Sequence, residues 1–104
     1  MKRLPSPRIA VIVPCFNEEL TIGEVVRDFK NTLPEAEVIV VDNCSTDRTG
    51  DVAEAAGAMV MREHAQGKGS VMQIAFEKIE ADVYVTVDGD ATYSASDIRK
   101  ILDP

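Results

Sequence analysis

Asp88 and Asp90 flank a single glycine at the end of the apolar run Val83-Tyr84-Val85-Thr86-Val87. Two carboxylates two residues apart project from one strand end, and the glycine lets the chain turn while a ligand comes close. Carboxylate oxygens suit Mg²⁺ or Mn²⁺, which keep some of their waters and bridge to phosphate oxygens. A metal held by Asp88 and Asp90 against a diphosphate would stabilise charge on a departing group. The plain alternative is an Asp-Gly turn with two solvated charges. A second polar segment, Asp42-Asn43-Cys44-Ser45-Thr46-Asp47, follows the apolar run Val38–Val41. Asp42 is placed to accept an N–H from a base edge, while Ser45, Thr46 or Asp47 is placed to cap the next helix.

Gly67-Lys68-Gly69-Ser70 is a third candidate. It is not a P-loop, because the required first glycine is Arg62 and Lys68 is followed by glycine. It is not a dinucleotide fingerprint either, since the third small position is Met72. What remains is a glycine-containing loop with one cation, a neighbour for phosphate or ribose or simply a turn. His64 stands alone, and Cys15 and Cys44 without further Cys or His ligands do not make a zinc site.

The elements that carry these residues alternate. Ile9–Val13 and Val38–Val41 are continuous apolar, β-branched runs, the signature of strands buried on both faces. Ile22, Val25, Val26, Phe29 and Leu33 recur at helical spacing over about Leu20–Thr32, with Pro34 as the stop. Glu18 and Glu19 open that helix, where the macrodipole favours negative charge. A second helix runs from Asp47 or Arg48 to Ala56, with Gly57 as its C-terminal cap. Met59–Met61 is a short strand, Ser70–Ile79 is helical by pattern and Val83–Val87 is a fourth strand. Ser94-Ala95-Ser96-Asp97 fits a capping box before a helix over Ile98–Leu102. The βαβαβαβα string is an α/β domain with a parallel sheet. Right-handed crossovers and a return of the fourth strand beside the first give the order 3-2-1-4. The crevice at that reversal lies beyond the carboxyl ends of strands 1 and 4, between Pro14–Glu18 and Asp88-Gly89-Asp90, with Asp42 on the same rim.

The chain has 104 residues, 45% hydrophobic and 28% charged, enough for one domain with its own core. Eighteen acidic against eleven basic residues give a net charge of −7, which argues against nucleic acid as a partner. Lys2, Arg3 and Arg8, beside Pro5 and Pro7, form a loose basic arm over residues 1–8. No apolar run approaches the ~20 residues that span a bilayer, and the charged start lacks the apolar stretch of a signal peptide. Cys15 and Cys44 are expected as reduced thiols.

Four segments in order then carry a resemblance. They are Val11-Ile12-Val13-Pro14-Cys15-Phe16-Asn17-Glu18-Glu19, Val40-Val41-Asp42-Asn43-Cys44-Ser45-Thr46-Asp47, Gly67-Lys68-Gly69 and Asp88-Gly89-Asp90. Together they resemble family 2 glycosyltransferases, most closely the polyprenyl-phosphate sugar transferases related to dolichyl-phosphate mannose synthase. The resemblance implies a Rossmann-like, nucleotide-diphospho-sugar-binding half of the GT-A fold that uses Mg²⁺ or Mn²⁺. It implies that Pro14, Phe16 and Glu18 cradle the nucleoside, Asp42 meets the base and Lys68 lies near the nucleotide. Asp88 and Asp90 would then sit at the diphosphate and metal. The family often has tyrosine where Phe16 stands and a second aspartate where Asn43 stands, so a hydroxyl contact and one charge are lost. Residues 1–104 would form the N-terminal, donor-binding part of a longer domain, with the acceptor side and the catalytic base beyond the aspartate pair. A polyprenyl phosphate is the implied acceptor, and a cytoplasmic location at the inner face of a membrane the implied setting.

Two other functions compete. One is a nucleotide-sugar-binding or regulatory module without turnover. The other is a phosphoacceptor signalling domain, which needs an acid pair after strand 1 and a lone aspartate after strand 3. Here strand 1 ends in Pro14-Cys15 and strand 3 in Arg62. Finally, the 3-2-1-4 order leaves the apolar strand Val83–Val87 at a sheet edge, where either self-association or cover by further strands of a longer protein is expected.

Overall fold

A computed structural model describes residues 7–63, 73, 75, 77–87 and 95–102. Of the sequence candidates, Lys68, Asp88 and Asp90 lie outside these residues, as do His64, Ser94 and residues 1–6 of the basic arm.

Strands β1 (Ile9–Cys15), β2 (Ala36–Asn43), β3 (Met59–Glu63) and β4 (Val83–Thr86) form one parallel sheet in the order β3-β2-β1-β4. This is the expected order. Helices α1 (Ile22–Thr32) and α2 (Thr49–Ala55) link the first three strands. Residues 73, 75, 77 and 78 are helical and belong to α3, and α4 (Ala95–Leu102) follows β4.

The buried runs become the two central strands because both of their faces are covered. Val11, Val13, Cys15, Val38 and Val40 meet Ile22, Val25, Val26 and Phe29 of α1 together with Ala53 and Ala95. Ala10, Ile12, Ile39 and Val41 meet Ala75 and Ile79 on the other face. Side chains alternate along a strand, so Asp42 continues the Val38, Val40 face towards α1 and α2.

Several boundaries differ from the sequence expectation, each for a local reason. β1 runs on through Pro14 and Cys15, which pair with Val41 and Asp42. Val87 N–H donates to Ile12 C=O, so alternate residues of β1 direct their backbone groups towards β4. The N–H that Pro14 lacks therefore faces the β4 side, past the described pairing that ends at Thr86, and β2 loses no ladder bond. α1 starts at Ile22 because the N–H groups of Thr21 and Ile22 both turn back to Glu18 C=O, leaving Leu20 in the turn. α4 starts at Ala95 rather than Ile98, and its first N–H donates to Asp28 of α1 at 2.8 Å. That carboxylate comes from another helix, which local spacing does not reveal. Gly57 does close α2: it sits at φ +105, with Ala58 N–H on Ala53 C=O and Gly57 N–H on Glu54 C=O.

Phe29 is fully buried in the α1 face of the core. Phe29→Ala is expected to cost about 3–5 kcal/mol, whereas Leu20→Ser, at a position 93% exposed, is expected to stay within about 0.5 kcal/mol. Urea unfolding of the two variants checks both values.

Candidate functional site at the carboxyl edge of the sheet

The parallel register brings the ends of β1 and β2 to one level, with Cys15 opposite Asp42. The loops that leave there are tied to each other. Asn17 N–H donates to Ser45 Oγ at 2.9 Å, and Thr46 N–H donates to Asn17 Oδ1 at 2.8 Å. Glu18 N–H donates to the buried Thr49 Oγ1 at 2.9 Å. Glu19 N–H donates to Asp47 Oδ2 at 3.3 Å, and Arg48 N–H donates back to Glu19 Oε2 at 3.2 Å.

Two turns make this interlock possible. Asn17 and Cys44 hold positive φ, 53 and 63 respectively. Asparagine tolerates that region better than most residues. For a cysteine it is a strained choice, one that recurs where a loop is held for function.

The interlock corrects part of the capping expectation. Of Ser45, Thr46 and Asp47, only Asp47 serves the start of α2, its Oδ1 accepting Thr49 N–H at 2.9 Å and also the Thr49 hydroxyl. Ser45 and Thr46 hold the β1 loop instead. Glu19 likewise faces the start of α2 rather than its own helix.

Asp42 is buried, only 4% exposed, at the end of β2. Its Oδ1 accepts Ser45 N–H at 3.2 Å and its Oδ2 accepts Arg62 Nη1 at 3.1 Å. The carboxylate is therefore oriented and paired, as a buried charge must be. Phe16, 58% exposed, stands on the neighbouring loop as an open aromatic face, with Pro14 partly buried beneath the same rim. Asn43 Oδ1 is buried with no hydrogen-bond partner among the described residues. The structure thus brings Pro14, Phe16, Glu18 and Asp42 to one edge.

Asn17, Thr49 and Arg62 were not candidates from sequence. Asparagine after a strand end is a signal for the positive φ. Arg62 becomes visible only through the β2–β3 register, which sets it opposite Asp42.

Among the described residues no three His, Cys, Asp or Glu side chains are grouped to hold a metal. A shallow cavity of about 280 Å³ lies at the opposite edge, lined by Arg8, Glu80, Ala81, Asp82 and Tyr84. There Asp82 Oδ2 accepts Arg8 N–H at 2.8 Å, and Tyr84 Oη accepts Ala81 N–H while donating to Ile79 C=O. These groups satisfy one another, and ligands of open α/β sheets bind at the carboxyl edge.

Comparison with known proteins decides the family. Residues 10–104 match glycosyl transferase family 2. The chain belongs to that family. It is 47% identical over 98 residues to protein RfbJ of Shigella flexneri, covering 94% of this chain and 76% of RfbJ. It is 38% identical over 96 residues to a dolichyl-phosphate hexose transferase of Haloferax volcanii, covering 91% of this chain and 42% of the relative. Its fold matches glucosyl-3-phosphoglycerate synthase of Mycobacterium tuberculosis, solved with Mn²⁺, uridine diphosphate and phosphoglyceric acid. The TM-score is 0.73 at 30% identity, over 80% of this chain and 33% of the synthase. The GT-A fold expected from the sequence is the fold observed, and this family 2 chain is of transferase type. It spans about two-fifths of the hexose transferase and a third of the synthase.

Asp47 gives the interlock a pH dependence. Desolvation raises its pKa, but hydrogen bonds from the Thr49 hydroxyl, Thr49 N–H and Glu19 N–H together outweigh that and hold it below the usual carboxylate range. A lowered folded-state pKa contributes stability that is present above the unfolded value, about 3.9, and is lost as pH falls through the folded value. Asp47→Asn keeps an acceptor oxygen but no charge. Its thermal midpoint is expected to fall less than that of the parent on acidification below about pH 4, as scanning calorimetry at stepped pH would show.

Proposed function

We propose that this chain is the donor-binding part of a glycosyltransferase that takes a nucleoside-diphosphate sugar, with uridine as the first base to test, together with Mn²⁺ or Mg²⁺. The observation that carries the proposal is the pairing, on one interlocked edge, of an oriented buried carboxylate, Asp42, with an exposed aromatic face, Phe16. An acceptor oxygen beside a flat apolar surface suits a base that carries an N–H on its rim. The synthase structures solved with uridine diphosphate and Mn²⁺ or Mg²⁺ support the same ligand class.

The metal is assigned to Asp88 and Asp90, which follow Val87 in the chain. Val87 is buried, and its N–H donates to Ile12 C=O just past the last paired residue of β4, Thr86, so the chain leaves β4 at that strand's carboxyl end. Two hard carboxylate donors fit Mg²⁺ or Mn²⁺. When bound, such an ion offsets negative charge on the diphosphate leaving group. In this reading Asp42 and Phe16 hold the base, Pro14 and Glu18 shape the floor beneath the nucleoside, and Lys68 offers a cation near the nucleotide. A polyprenyl phosphate is proposed as the acceptor, supported by the name of the Haloferax relative.

Titration calorimetry with uridine diphosphate tests the reading. Affinity is expected to be higher with Mn²⁺ than with EDTA, and Asp90→Asn to remove most of that gain. Asp42→Ala removes a charge-assisted hydrogen bond of about 1.5–3 kcal/mol, so binding should weaken by roughly ten- to a hundredfold. Equal affinity with metal and with EDTA, or unchanged binding by Asp42→Ala, overturns it.

A further inference from the structure

Arg62 is the side chain that holds Asp42 from below. The two residues are register partners on β3 and β2 and point to the same face of the sheet. Its guanidinium reaches Asp42 Oδ2 through Nη1 at 3.1 Å and Asp51 Oδ1 through Nη2 at 3.5 Å. The fork therefore spans a buried acid on the sheet and an exposed acid on α2. It can do so because position 50 is glycine. A Cβ there would stand 2.7 Å from Nη1 and 2.9 Å from Cζ and Nη2 of Arg62. The guanidinium lies against the bare backbone of the first turn of α2, in space that any side chain at position 50 would fill.

We propose that Arg62 is the positioning residue for Asp42, seated on Gly50 and steadied by Asp51, and that it sets how strongly the site selects its nucleobase. The inference rests on the reading that Asp42 meets the base. A planar fork anchored at two carboxylates fixes the direction of the Asp42 carboxylate, which a single ammonium would not. Ser45 N–H holds the other oxygen, so neither oxygen is left to rotate away from an incoming N–H. Charge balance alone would not require this seat, since a cation free to move would neutralise Asp42 equally well.

Base selectivity is the measurable consequence. Uracil carries a hydrogen on N3 and cytosine carries a lone pair there. A fixed carboxylate accepts from the first and repels the second, so its placement is read by the ratio of affinities for uridine and cytidine diphosphates. A general loss of structure would weaken both alike.

The experiment measures both dissociation constants, with Mn²⁺, for the parent chain, Asp42→Ala, Arg62→Met, Gly50→Ala and the Asp42→Ala/Arg62→Met double variant. The parent is expected to prefer uridine diphosphate, and Arg62→Met to lower that preference about tenfold, the equivalent of one charge-assisted hydrogen bond. Gly50→Ala should lower it too, with a thermal midpoint no lower than that of Arg62→Met, because alanine favours the helix and partly offsets the cost of moving the flexible end of Arg62 off Asp42. In the Asp42→Ala background, Arg62→Met should have no further effect on the ratio. If Asp42→Ala abolishes the preference while Arg62→Met and Gly50→Ala preserve it, the positioning role is wrong and the base contact stands. If the parent shows no preference, or Asp42→Ala retains it, the reading of Asp42 itself fails and the inference falls with it.

Discussion

The parallel register between β1 and β2, from Ile9 opposite Ala36 to Cys15 opposite Asp42, is the constraint from which the carboxyl edge follows. Both strands are buried on both faces, so a slip of one residue would turn Asp42 onto the α3 side and send Val41 towards α1 and α2. With the register fixed, the two loops leave the sheet at one height. Their backbone N–H groups, which no ladder satisfies, then find side-chain acceptors on the opposite loop. The bonds between Asn17 and Ser45, Thr46 and Asn17, and Glu18 and Thr49 are consequences of that alignment.

This arrangement links stability to function through the same atoms. Thr49 is a fully buried hydroxyl that would be costly unpaired, and it is bonded to Glu18 N–H and to Asp47. Asp42 is a buried acid with both oxygens engaged. Burying polar groups at a strand end adds little to a core already filled by valine and isoleucine. Their use is to hold loop geometry before a ligand arrives, which lowers the ordering cost of binding. At the far end of α1, Arg99 of α4 donates to Thr32 C=O at 2.9 Å and pairs with Glu35, whose pKa it lowers. This contact ties the helix after β4 to the C-terminal end of α1.

Much of this was legible in the sequence because it depends on local pattern. The continuous apolar runs at Ile9 and Val38, the helical stripe from Ile22 to Leu33 and Gly57 as a helix stop all reflect short-range chemistry. The strand order followed from handedness rules, and Asp42 and Phe16 from their place after strands. What escaped depends on contacts between distant segments. Asp28 caps α4 across 67 positions, and Arg62 meets Asp42 across 20. The use of Ser45 and Thr46 away from the helix start escaped for a related reason. A Ser or Thr before a helix signals a cap, and only the β1–β2 alignment shows that Ser45 accepts from Asn17 N–H while Thr46 donates to Asn17 Oδ1.

The central claim is that the nucleotide binds at the interlocked carboxyl edge. The most direct test is a set of amide chemical-shift maps on the full chain, titrated with uridine diphosphate and Mg²⁺. The account predicts shifts concentrated at residues 15–19 and 42–49, with the amides of Arg8 and Asp82 at the opposite edge unmoved. Shifts centred on Arg8 and Asp82, or none at saturating ligand, would contradict it.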